Sequence, residues 1–211
     1  RRPAASVKSF AQKHPHDMMK DWPTAGSRTR VAFMESGDFF GSEVSTTLAR
    51  PTTARIEFTD HAGEKIVLKD GIALLEGEVI DAATMSVSML RDFYAAEIES
   101  AKRDDVLLSL HLKATMMKVS DPAMFGHCVA VYFKDALTKH HVELAEIGAN
   151  LANGLSDVLE KLDRLPEAKR KEIEADIAAC YETGPALAMV DSRKGITNLH
   201  VPNNVIIDAS M

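Results

Sequence analysis

The period of apolar residues changes several times along the chain, and each change predicts an element. Residues 5–13 read as a short helix stopped near Pro15, followed by the polar, proline-bounded connection HPHDMMKDWP. RVAFM, residues 30–34, reads as a strand, and ESGDFFGSE with Gly37 and Gly41 as the loop after it. A β-rich block comes next. EVSTTLA and ARIEFTD predict two strands, and DHAG turns into a third, EKIVLKD. Ile56 and Phe58, then Ile66 and Leu68, alternate as in a hairpin with one buried face. ALLEGEVIDA predicts a fourth strand.

The pattern then lengthens to helical spacing. Ser86 or Ser88 can cap a helix running to about Lys102, with Leu90, Tyr94, Ile98 and Ala101 on one stripe. VLLSLHLKAT returns to strand period. Leu110, Leu112 and Ala114 point one way, and Ser109, His111, Lys113 and Thr115 the other. The polar side of such a strand faces either water or a cleft. Asp121 as N-cap and Pro122 at the first helical position open a helix that runs to about Lys139. Lys139, His140 and His141 suit its negative C-terminal end. GANLANG leads to a short helix at 155–163, and Pro166 opens another that stops at Gly184-Pro185. LAMVD and NVIIDAS read as buried strands flanking SRKGITNLHVPN. With 28–80 β-rich and 81–211 alternating, the expected fold is α/β, one domain or two small ones over 1–211, an α/β core carrying an antiparallel β-hairpin extension.

Composition narrows the function. The 211 residues are 45% hydrophobic and 27% charged, enough for a packed core and unlike a disordered chain. A net charge of −6 without a basic block excludes general nucleic-acid binding. No apolar run approaches the ~18 residues of a membrane span, and no secretory signal is visible, so a cytoplasmic protein is expected. Cys128 and Cys180 lack metal-site spacing and read as reduced, helix-packing thiols. The opening RRPAAS lacks an initiator Met and IIDASM ends directly after a strand pattern, which reads as a piece of a longer polypeptide.

Candidate chemistry concentrates at a few positions. Lys113, at a strand edge before a helix N-terminus, can serve as acid or base or clamp an anion; it can equally be an exposed lysine. His111 on the same side suits a structural role. Asp208 ends the apolar run Val205-Ile206-Ile207, where α/β proteins bind ligands, and its oxygens suit Mg²⁺ or Mn²⁺; it can also cap the next element. Asp191, Arg193 and Lys194 beside Gly195 can hold an anion or form a solvated turn. Arg1 and Arg2 can bind carboxylates or simply be exposed. His14 and His16 lack helical metal spacing, and His140-His141 is more simply a helix end. ESGDFFG lacks the Lys-Ser/Thr ending of a phosphate loop, and no G-x-G-x-x-G follows a strand.

Several stretches carry a resemblance. HLKATMMKVSDPAMFGH, GPALAMVDSRKGITNLHVP, VIIDASM, the opening RRPAASVKSFAQKHPH and LKDGIALLEGEVID closely resemble the monomeric type of NADP-dependent isocitrate dehydrogenase, a bacterial enzyme. The matches run from Arg1 to Met211 in the family's order, more loosely in 28–68 and 140–182. The resemblance implies oxidation of isocitrate at C2 by NADP⁺ and loss of CO₂ to give 2-oxoglutarate, the reaction of the tricarboxylic acid cycle and the branch point of the glyoxylate bypass. It implies a divalent metal, Mg²⁺ or Mn²⁺, polarising the C2 oxygen. In HLKATMMK the family's catalytic lysine matches Lys113, which would also hold substrate charge. In VIIDASM the metal-binding aspartate matches Asp208. Arg1, better than Arg2, matches a substrate carboxylate ligand.

The same resemblance implies an isocitrate/isopropylmalate dehydrogenase-like half-domain, the first half of a duplicated large domain. The serine-asparagine-arginine substrate segment would precede Arg1. The catalytic tyrosine, other metal aspartates and all NADP-binding residues would follow Met211. The implied partners are isocitrate and the remainder of the parent chain. A monomeric parent is expected, with an isolated piece that is inactive and self-associates. A noncatalytic ligand-binding or oligomerisation module of the same fold is the alternative.

Overall fold

The computed structural model describes residues 4–15, 26–110, 112 and 117–187. Two compact units divide the chain, Arg1–Val31 and Ala32–Met211. In the first, helix α1 (Ala5–Lys13) ends before Pro15 as the pattern predicts, and the His14 amide donates to the Phe10 carbonyl at 2.9 Å. In the second, helices combine, among the described residues, with two small antiparallel sheets, a mixed helix-and-strand fold. No described helix is long and apolar enough to cross a membrane.

The segment 30–34 is not a strand. Val31 and Phe33 are exposed, and without a neighbouring chain to complete a ladder, alternation alone does not make one. The loop expected after it contains one helical turn, α2 (Phe39–Ser42), started by the Asp38 carboxylate accepting from the Gly41 amide at 3.0 Å.

Residues 44–82 form one long, nested antiparallel ribbon. Its inner pair is β2 (Thr52–Thr59) with β3 (Lys65–Leu74), and its outer pair is β1 (Val44–Thr47) with β4 (Val79–Ala82). At the tip the Asp60 carboxylate accepts from the Ala62 and Glu64 amides at 2.8 and 2.9 Å, and Gly63 takes φ +87°. ALLEGEVIDA is therefore not one strand. Its Ala73 and Leu74 belong to β3, and Glu78 turns the chain by accepting from the Leu75 amide at 2.7 Å, with Gly77 at φ +78°. At the ribbon's base the Ser42 hydroxyl donates to the Thr84 carbonyl at 2.7 Å and accepts from the Thr84 amide at 2.8 Å. The expected buried hairpin face is not buried. Ile56, Phe58, Ile66 and Leu68 are 50–65% exposed, because no described element packs over them.

Helix α3 (Val87–Asp104) carries the predicted stripe, with Leu90, Tyr94 and Ala101 buried and Ile98 half-buried. Ser86 is its cap, accepting from the Met89 amide at 3.4 Å. Helix α4 (Ser120–Tyr132) starts one residue before the expected cap. Val119 stands at the N-cap, and Asp121 lies buried inside the first turn, accepting from the Ser120 hydroxyl at 3.1 Å. Pro122 still fits, since a first-turn residue needs no amide donor. The helix does not run unbroken to Lys139. It bends at Phe133 into α5 (Lys134–Lys139), then α6 (His141–Glu146). A 3₁₀ turn at Leu151–Asn153, α7 (Leu155–Lys161) and a second 3₁₀ turn at Leu162–Arg164 lead to α8 (Glu167–Thr183), opened by Pro166 and closed at Gly184 as predicted.

The main core lies among these helices. Phe133, Leu155, Val158, Leu162, Ile173 and Ile177 are nearly inaccessible. A smaller cluster joins Leu90 and Tyr94 of α3 to Cys128 of α4. At Gly126, α4 meets the first 3₁₀ turn so closely that a Cβ would come within 2.9 Å of the Leu151 carbonyl carbon and the Ala152 amide nitrogen. Overpacking costs about 1–3 kcal/mol and outweighs a helix-propensity gain of up to about 1 kcal/mol. Gly126→Ala should therefore lower the urea midpoint of unfolding, whereas an unchanged or raised midpoint would show that the contact yields.

Candidate functional site

The strand pattern around Lys113 begins where α3 ends. Asp105 adopts the left-handed conformation at φ 49°, and the Val106 amide returns to the Ala101 carbonyl at 3.0 Å, which releases the chain into an extended course. Val106, Leu108, Leu110 and Leu112 are then half-buried, while Leu107 and Ser109 are exposed. Leu108 packs on the Phe133 core and Leu110 on the Tyr94–Cys128 cluster. The two-residue period is thus real, but only one ladder contact accompanies it among the described residues. The Leu108 amide donates to the Ala186 carbonyl at 2.8 Å, forming an isolated parallel bridge between Leu108 and Leu187.

That bridge has topological weight. Parallel neighbours require a crossover, supplied here by α4 to α8. The return is fixed by the Tyr132 hydroxyl donating to the Pro185 carbonyl at 2.8 Å. A Cβ at Gly184 would come within 2.7 Å of the same hydroxyl, so glycine admits the close approach. Ser109, on the polar side of the pattern, is exposed.

The principal sequence candidates, Arg1, Lys113 and Asp208, lie outside the described residues, as do Arg2, His16, His111, Asp191, Arg193 and Lys194. So do most of LAMVD and all of NVIIDAS. His14 is exposed. Both cysteines are buried and free, as expected. Burial pushes the Cys128 thiol up to about 12 and raises that of Cys180, which leaves neither as a thiolate nucleophile at neutral pH.

The sequence pattern missed one polar cluster. His140, read as a simple helix end, is 1% exposed and holds the Asp176 carboxylate of α8 through Nε2 at 2.5 Å. Lys139 Nζ binds the same Asp176 oxygen at 2.8 Å and Glu172 at 3.3 Å. Lys169 joins Glu172 to Glu143 of α6 at 2.8 and 3.2 Å. The signal was the row Lys169, Glu172 and Asp176 along one side of α8. His140, Glu172 and Asp176 place three potential ligand atoms within 4.8 Å of one another. The Lys139 ammonium already sits where a cation would, so the arrangement is an ion-pair clamp between α5 and α8.

Lys139 and then His140 hold the Asp176 carboxyl below its ordinary 3.8. A carboxylate depressed in the folded state adds stability that is present above its unfolded pKa and lost as pH falls through the folded one. The Asp176→Asn variant should unfold at lower urea than the parent sequence at pH 7, with the difference shrinking below about pH 4. A difference independent of pH between 7 and 2 would remove the charge from this account.

Comparison with known proteins places the whole sequence. Residues 1–211 match the family model described as monomeric isocitrate dehydrogenase. The chain is 54% identical over 211 residues to isocitrate dehydrogenase (NADP) 2 of Colwellia maris, and 54% identical to isocitrate dehydrogenase (NADP) of Azotobacter vinelandii. It is 48% identical to isocitrate dehydrogenase (NADP) 2 of Mycobacterium tuberculosis. Each comparison covers 100% of this chain and 28% of the relative, so the chain spans little more than a quarter of their length.

Proposed function

Because the chain belongs to the monomeric isocitrate dehydrogenase family, we propose that it is the part of an NADP-dependent isocitrate dehydrogenase that brings a lysine to proton transfer and an aspartate to a divalent cation. The observation that carries this reading is the family match over all of residues 1–211. The parallel bridge at Leu108, five residues before Lys113 in the sequence, supports it as the kind of strand contact an α/β fold makes. On this reading residues 1–211 are one half-domain of the isocitrate/isopropylmalate dehydrogenase type, in a cytoplasmic protein.

The reaction removes a hydride from C2 of isocitrate to NADP⁺ and a proton from the C2 hydroxyl. The bond to the β-carboxylate then breaks, CO₂ leaves, and C3 takes a proton to give 2-oxoglutarate. Lys113 holds or moves the proton at the C2 oxygen and offsets substrate charge. Arg1 pairs with a substrate carboxylate, for which a guanidinium fork is suited. Asp208 offers oxygen to Mg²⁺ or Mn²⁺, which when bound supplies Lewis acidity at the C2 oxygen. One carboxylate is a small part of the roughly six oxygen ligands such a cation takes, so this chain fits part of the metal site and needs donors from elsewhere in the parent. No described strand leads into a glycine-rich phosphate loop, and NADP contacts are likewise assigned to the remainder.

Two measurements test this. In the full parent polypeptide with Mg²⁺, Lys113→Met should reduce isocitrate-dependent NADPH formation by about 10²–10⁴-fold while isocitrate affinity is largely kept. Near-normal turnover would make Lys113 a neighbour of the chemistry, and an inactive, folded parent would favour a noncatalytic module. The 211-residue chain alone should produce no NADPH under the same conditions; measurable turnover would show that it holds a complete site.

A further inference from the structure

The hairpin formed by β2 and β3 has two chemically opposite faces. Phe58 pairs with Ile66, and Ala54 with Ile72. Ile56, two residues before Phe58, and Leu68, two after Ile66, fall on the same side by alternation, with Lys69 the register partner of Ile56 at the irregularity. The other side holds Glu57, paired with Arg55 at 2.8 Å and Lys65 at 3.7 Å, and Val67 opposite it. One face is therefore built for water. The other shows Ile56 at 50%, Phe58 at 51%, Ile66 at 54% and Leu68 at 65% exposure.

A two-stranded hairpin is marginal alone in water and needs a further layer on its apolar side. The main partner of β2 is β3, and no other described element supplies that layer. Two facts identify what would. The chain spans 28% of the relatives it matches, so most of such a polypeptide lies outside it. The matched family is described as monomeric, which places the cover within the same polypeptide and not in a second copy. We propose that the Ala54–Ile56–Phe58–Ile66–Leu68–Ile72 face is a docking surface for an apolar surface contributed by the remainder of the parent chain. This rests on the proposed function for the parent's identity and adds the surface through which the two parts join.

Single cysteines introduced into the full parent as Ile56→Cys on the apolar face and Thr53→Cys on the opposite face test it. Alkylation by iodoacetamide is followed peptide by peptide by mass spectrometry. Position 56 should react roughly tenfold or more slowly than position 53 in the native parent, with equal rates after denaturation. Phe58→Cys serves as a second reporter should Ile56→Cys not fold. Equal native rates at the two faces would overturn the proposal. So would protection that appears only at high concentration together with a dimer mass, since a second copy would then be the cover. NADPH formation by the same samples separates the two claims. Slow labelling in an inactive parent keeps the surface and removes the enzyme reading; fast labelling in an active parent does the reverse.

Discussion

Burial of Phe133 is the constraint on which the helical part of the molecule depends. The residue is inaccessible and stands where α4 gives way to α5. Its ring meets Tyr132 and Tyr181 edge-on, at centroid distances of 4.8 and 5.3 Å. Turning the chain inward here sets α5 against α8, which brings His140 to Asp176. It also leaves Tyr132 positioned to hold Pro185, so the chain leaving α8 returns beside Leu108. A buried phenylalanine is worth about 3–5 kcal/mol against alanine, a large share of the 5–15 kcal/mol that holds a typical domain together. The parallel bridge is one contact. It persists because the crossover beneath it is packed around this ring.

The ribbon obeys different physics. Its base, tip and internal turn are fixed by short polar bonds at Ser42, Asp60 and Glu78, all exposed, and local at the tip and the turn. Such bonds specify where the chain turns and contribute little net stability, since water competes for each of them. What a sheet normally adds is burial of one face, and that term is missing on β2–β3. The molecule thus joins a helical block closed on its own core to a ribbon whose shape is set but whose apolar side is open.

This difference explains what could be read from the sequence. Helices α3 and α8 were legible because their signals are local: a serine cap, a proline start, a glycine stop and a stripe that must face a core. The non-strand course of 30–34 was not, because a strand exists only with a neighbour and no local residue tells whether there is one. The same limit applies to the hairpin. Its alternation told which residues share a face and could not tell whether this chain covers it. The bend at Phe133 was hidden because an apolar residue suits a continuous helix and a core plug equally well. His140 looked like a helix-end charge for a similar reason, as its partner lies 36 residues further on. The alternation through Leu112 was correct in period; the same patterning singled out Lys113 and Asp208 as candidates, while their specific roles, and that of Arg1, came from motif resemblance.

On the proposed function, the charges of those three residues have a further meaning. Isocitrate bears three carboxylates, and a site built only from this chain would offer it an ammonium, a guanidinium and one aspartate. Such a set would attract the substrate's anions strongly and a divalent cation weakly, because a hard cation needs several oxygens and is repelled by an ammonium and a guanidinium. On that reading additional carboxylates would be required close to Asp208, and Asp176 is not free to supply one, since Lys139 holds it in the clamp between α5 and α8. On that reading the metal would be held only once the remaining chain is docked. Substrate charge neutralisation and metal coordination would then be divided between the two parts, and neither part could bind the Mg²⁺–isocitrate pair tightly alone.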